Sequence, residues 1–90
     1  MPYEVRISRR VRKEMARVPP GDQNRILAKL GTLAENPRPS GCVPVKAAGP
    51  GVYRVRVGSY RVIYTVRDDQ QHVIVARVAR RSGSTYRGLS

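Results

Sequence analysis

The stretch from Val52 to Arg67, VYRVRVGSYRVIYTVR, constrains the fold more than any other part of the chain. Apolar and polar residues alternate on both sides of Gly58-Ser59, the pattern of two half-buried strands joined by a two-residue turn. Glycine at the first central position suits a type II′ turn, and that turn sets the register. Val57 is then expected opposite Tyr60, Val55 opposite Val62 and Tyr53 opposite Tyr64 on one face. Arg56 falls opposite Arg61, and Arg54 opposite Ile63, on the other. One face is core and the other is cationic. Like charges directly opposite each other destabilise a sheet, so the arrangement invites an anion. Arg54, Arg56 and Arg61 are read as a phosphate-binding surface, against the plainer alternative of a solvated sheet face.

The flanking segments supply the rest of a core. Tyr3, Val5 and Ile7 alternate with Glu4 and Arg6 as in a strand, and Ser8 is an N-cap candidate for a helix beginning at Arg9. Val11, Met15 and Val18 give that helix an inner side, leaving a basic outer one. PPGD then ends it and starts a second helix, with Asp22 expected as N-cap and Ile26, Leu27, Leu30, Leu33 and Ala34 as its apolar stripe, stopped by Pro37. So short a turn predicts an antiparallel helical hairpin. Gly31, inside the second helix, predicts a close contact there. Residues 37–51 read as a connector in which only Val43 to Ala47 can extend.

A third hairpin strand, HVIVARVARR at 72–81, follows the turn DDQQ. Its nearly continuous apolar run predicts an interior strand covered, at least in part, on both faces. A four-residue loop sets Val66 opposite Val73, Tyr64 opposite Val75 and Arg61 opposite Val78. Uninterrupted alternation then places Arg80 on the cationic face and Arg81 on the other, and a bulge would change that. In the tail SGSTYRGLS, Tyr86 fits either a base-stacking or an ordinary packed tyrosine.

Ninety residues make one domain, 1–90, with a single core. Lys plus Arg number 18 against 6 acidic residues, a formal charge of +12. A nucleic acid or an acidic protein is the expected partner, and the prevalence of arginine suits bidentate phosphate contacts. One cysteine, Cys42, rules out a disulfide framework within the chain. The N-terminus lacks the apolar run of a signal peptide, and no segment has the ~18 apolar residues of a membrane span, so a cytoplasmic protein without membrane association is expected. His72 is the sole histidine, and Asp68-Asp69 read as turn formers rather than metal ligands. No metal and no cofactor are expected, since phosphate-cradling, dinucleotide and nucleophile-elbow motifs are missing. If the chain is an enzyme, its substrate must bring much of the reactivity. RNA does so through its 2′-hydroxyl, an internal nucleophile beside the phosphate.

An alternating strand, two short helices with a basic outer side, an NPRP stop, YRVRVGSYRVIYTV, VARVARR and a late tyrosine together resemble the RelE/ParE superfamily of toxins from type II toxin-antitoxin modules. The resemblance covers nearly the whole chain, and its most specific part is the hairpin Tyr53 to Tyr64. It implies an α+β, microbial RNase-like fold: a helical hairpin on a mainly antiparallel four-stranded twisted sheet. In the RelE-like branch it implies a metal-independent endoribonuclease that cleaves mRNA in the ribosomal A site, with Arg54, Arg56, Arg61, Arg81 and Tyr86 at the matching positions. Arginine at 54 and 56, where lysines are frequent in that branch, argues against either as general base. A cognate antitoxin with an acidic toxin-binding segment is the implied partner besides ribosome and mRNA, in a hetero-oligomeric complex. The alternatives are a ParE-like DNA gyrase inhibitor and a non-catalytic nucleic-acid-binding module.

Overall fold

The computed structural model describes residues 2–80. Its elements are β1 (Glu4–Ile7), α1 (Arg9–Ala16), α2 (Pro20–Glu35), β2 (Val43–Pro44), β3 (Val52–Val57), β4 (Tyr60–Arg67) and β5 (His72–Arg80), with a short 3-10 turn at Lys46–Ala48. The strands form one sheet in the order β1-β5-β4-β3-β2. The chain is thus α+β, with five strands where four were expected. The fifth is β2, two residues paired antiparallel to β3 at the edge, Val43 opposite Arg54 and Pro44 opposite Tyr53. At the other edge β1 runs parallel to β5.

Local chemistry explains most element ends. The Ser8 Oγ accepts a hydrogen bond from the Val11 N–H at 3.2 Å, capping α1 immediately after β1. Asp22 does not cap α2. That helix begins two residues earlier, at Pro20, because proline is tolerated at a first position whose N–H has no helical acceptor. Asp22 instead sits in the first turn, where a carboxylate favours the positive end of the helix dipole. Gln23 Nε2 donates to the Met15 carbonyl at 2.6 Å and ties the start of α2 to the end of α1.

The core lies between the helices and one face of the sheet. Val11, Val18, Ile26, Leu30 and Leu33 from the helices meet Val55, Val57, Tyr60, Val62, Tyr64, Val66, Val73, Val75 and Val78. Leu27, read into the apolar stripe, is instead 51% exposed, because the inward side of α2 is carried by the 26, 30, 33 spacing alone. Gly31 makes no close contact: a Cβ built there meets nothing within 4 Å. β5 is interior to the sheet, and its second face is covered only in part: Ile74 is half-buried and Ala76 is exposed.

Candidate functional site

The β3–β4 hairpin has the expected register throughout, from Val52 opposite Thr65 to Val57 opposite Tyr60. Gly58 has φ +57° while Ser59 does not have positive φ, as a type II′ turn requires. Residues flanking a two-residue turn exchange hydrogen bonds, so Arg56 and Arg61 occupy the next, non-hydrogen-bonded pair, where side chains approach most closely. Val55, Val57, Tyr60, Val62 and Tyr64 are buried beneath them. Arg54 and Arg56 are exposed, Arg61 is half-buried, and Ile63, Thr65 and the exposed Arg67 complete the outer surface of β4. Neither strand contains an acidic residue. Neither Arg54 nor Arg56 forms an ion pair among the described residues.

The end of β5 departs from simple alternation. Val66 opposite Val73 and Tyr64 opposite Val75 are as expected, but the register shifts there and Ile63 faces Arg77, so Ala76 has no counterpart on β4. Arg61 consequently faces Ala79 rather than Val78. Arg80 lies opposite buried Tyr60, so it is on the α1 side of the sheet and not with Arg54, Arg56 and Arg61. It borders a shallow hollow with Glu14, Arg17, Val18 and Tyr60. Arg81 and Tyr86 lie outside the described residues.

Sequence reasoning missed what fastens the hairpin to the connector. Asp68 is more than a turn residue: its carboxylate accepts both terminal nitrogens of Arg38, at 3.2 and 2.7 Å, and the Tyr3 hydroxyl at 2.6 Å. Arg38 Nε donates to the Tyr53 hydroxyl at 3.0 Å, and its guanidinium lies 5.4 Å from that ring's centre. Tyr53 stacks on Tyr64 with centroids 6.0 Å apart, and the buried Tyr64 hydroxyl donates to the Pro37 carbonyl at 2.8 Å. The hydrogen bonds from Arg38, then from Tyr3, hold Asp68 below the usual carboxylate range, and the same contacts raise Tyr3 and Arg38. Burial, with the neighbouring Cys42, raises Tyr64 far above an ordinary phenol. The only signal in the sequence was an arginine inside NPRP facing an acid pair thirty positions on.

A second basic surface belongs to α1, where Arg9, Arg10, Lys13 and Arg17 surround a shallow depression beside Glu14. No group of three His, Cys, Asp or Glu side chains among the described residues could hold a metal ion. No described helix is long and apolar enough to cross a membrane. The arginines of the hairpin can bind a polyanion and stabilise negative charge, but they cannot accept a proton near neutral pH.

Comparison with known proteins agrees with this geometry. The family described as "ParE toxin of type II toxin-antitoxin system, parDE" matches residues 5–84. The chain is 34% identical over 86 residues to the RelE1 chain of Methanocaldococcus jannaschii, covering 93% of this chain and 96% of that one. It is 32% identical over 87 residues to toxin RelG of Mycobacterium tuberculosis, with 91% and 94% covered. Among solved structures, the RelE–RelB complex of Pyrococcus horikoshii superimposes with a TM-score of 0.82 at 28% identity, over 92% of this chain and 99% of that one.

Proposed function

This chain belongs to the RelE/ParE superfamily of type II toxin-antitoxin toxins, and from that membership we propose that it is a ribosome-dependent, metal-independent mRNA endoribonuclease acting in the cytoplasm. The observation that carries the reading is the acid-free arginine face of the hairpin, where Arg56 and Arg61 stand opposite each other with Arg54 alongside. In the reaction proposed, the 2′-hydroxyl attacks the adjacent phosphorus and the bond to the 5′-oxygen breaks. The proton lost by the 2′-oxygen is balanced by one gained at the leaving 5′-oxygen. The products are a 2′,3′-cyclic phosphate, or a 3′-phosphate after hydrolysis, and a 5′-hydroxyl.

Arg54, Arg56 and Arg61 hold the scissile and flanking phosphates in line, which supplies orientation and charge stabilisation together. By family resemblance, Arg81 stabilises the transition state and Tyr86 orients the cleaved nucleotide. Arg80, on the other side of the sheet from Arg61, is left out of the phosphate set. The M. tuberculosis RelBE2 and P. horikoshii RelE–RelB structures are toxin-antitoxin complexes. They support a cognate antitoxin for this chain, with an acidic segment answering its charge of +12.

A second reading, a ParE-like gyrase inhibitor, is favoured by one observation: the matching family is the ParE toxin. Purified chain incubated with programmed ribosomes separates the two. New 3′ ends at the A-site codon support the ribonuclease, and gyrase-dependent DNA breaks without RNA cleavage support the gyrase poison. Binding of RNA with neither activity would leave a non-catalytic binding module.

A further inference from the structure

α1 carries Arg9, Arg10, Arg12, Lys13 and a single acid, Glu14, with Arg17 following. The helix itself gains little from that acid. Glu14 is in mid-helix, remote from the positive end of the dipole, and Arg10 four residues before it at 3.6 Å is the weaker order for an ion pair. Its carboxylate instead leaves the helix for the sheet. Oε1 accepts the Val78 N–H at 2.7 Å, and Oε2 accepts Arg77 Nε at 2.8 Å. The side chain is only 19% exposed.

The location explains why an acid is needed. β1 pairs with β5 only from His72 to Val75, after which the chain turns through Ser8 into α1. Beyond Val75 the edge of β5 that β1 occupied has no strand partner among the described residues, and the bulge at Ala76 begins at that same point. A partly buried strand N–H without an acceptor is costly, and a carboxylate is a strong one. Burial of Val78, 4% exposed, holds this residue inward. Glu14 holds the edge.

We propose that Glu14 is a positioning residue: its carboxylate takes the place of β1 along the bulged end of β5 and so fixes how the segment Arg77–Arg80 lies against β4, where Ala79 faces Arg61. This inference rests on the ribonuclease reading for its functional consequence, but not for its structural one. Glu14 touches no substrate, and its effect passes through the backbone of β5.

The test compares the full chain with Glu14→Ala, Glu14→Gln and a control of equal charge change, Glu35→Gln, at an exposed site on α2. Amide exchange by NMR reads the pin, and single-turnover cleavage on programmed ribosomes across a ribosome titration reads the consequence. In Glu14→Ala, Val78 exchange is expected to rise roughly tenfold, the worth of one hydrogen bond. Cleavage at saturating ribosomes should fall about tenfold or more, as slight misplacement of charged groups can cost up to ~10², with half-saturation unchanged. Glu14→Gln keeps an acceptor for the Val78 N–H and should restore most of both, and Glu35→Gln should match the wild type. Val78 exchange unchanged in Glu14→Ala, a loss confined to ribosome affinity, or an equal loss in Glu35→Gln would overturn the proposal. If the wild-type chain cleaves nothing, the ribonuclease reading fails separately, and the exchange of Val78 alone decides whether Glu14 pins β5.

Discussion

Arg56 and Arg61 face each other directly across β3 and β4, one position from the Gly58-Ser59 turn, on strands without an acidic residue. Such a pair opposes folding, since like charges at a cross-strand position are unfavourable by a few tenths to about 1 kcal/mol. Function and stability should therefore separate here. Arg56→Glu places opposite charges at the same pair and is expected to raise the unfolding midpoint slightly while reducing single-turnover RNA cleavage by ~10² or more, the usual loss for a preorganised charge contact at a reacting centre. Denaturant unfolding beside the cleavage assay checks both signs.

The Asp68 cluster gives the chain an acid-sensitive fastening. Its pKa is lower in the folded state than in the unfolded chain, so its contribution is complete above the ordinary carboxylate range and is lost as pH falls through the folded value. Stability measured from neutral pH to below about pH 4 should therefore fall more steeply in the wild type than in Asp68→Asn. Tyr64 has the opposite sense. Its raised value makes stability complete below about pH 10 and lost above, because ionising the phenol in the core is opposed. Tyr64→Phe should flatten the alkaline limb, at a cost near neutrality of about 0.5–1.5 kcal/mol for the lost bond to Pro37. Urea titrations across pH measure both limbs.

Three substitutions in α2 test its packing. Leu33→Ala empties a fully buried site and should cost about 2–5 kcal/mol, whereas Leu27→Ala, at an exposed position, should change stability by less than about 0.5 kcal/mol. Gly31→Ala has open space around the new methyl group and should stabilise by about 0.5–1 kcal/mol. Thermal and denaturant unfolding of the three variants give the ordering.

These residues also show what could be read from the chain alone. The β3–β4 register followed from period-two alternation and one glycine, because turn geometry and side-chain parity are local properties. The Val66–Val73 and Tyr64–Val75 pairs followed from a four-residue loop for the same reason. What local pattern did not specify was the bulge at Ala76, which lies where β1 stops and beside a Val78 N–H bonded to a carboxylate more than sixty positions earlier. That bulge decides the side taken by Arg80, so this residue was misplaced while Arg54, Arg56 and Arg61 were not. Leu27 and Gly31 failed differently. A wide apolar stripe and an isolated helical glycine each fit more than one packing, and only the neighbouring sheet chooses among them.

In the antitoxin pairing proposed above, the charge of +12 would draw in an acidic segment from a distance. Attraction between an acidic segment and exposed arginines acts over about 10 Å at 0.1 M salt and is screened beyond that. The association rate of the purified pair should fall as salt rises, while dissociation, governed by apolar contact, should change much less. Stopped-flow association across a salt series reads this, and a salt-independent association rate would remove the electrostatic part of the account.

The central claim is that the arginine face of the hairpin cleaves mRNA on the ribosome by way of the 2′-hydroxyl. Primer extension on programmed ribosomes, keeping the magnesium the ribosome needs but pretreating the protein with chelator, tests it most directly, with end-group analysis of the fragments. The account predicts breaks at the A-site codon bearing a 2′,3′-cyclic phosphate or 3′-phosphate and a 5′-hydroxyl, lost in Arg61→Ala that folds normally. Intact mRNA under those conditions, cleavage that requires an added transition metal, or undiminished cleavage by Arg61→Ala would contradict it.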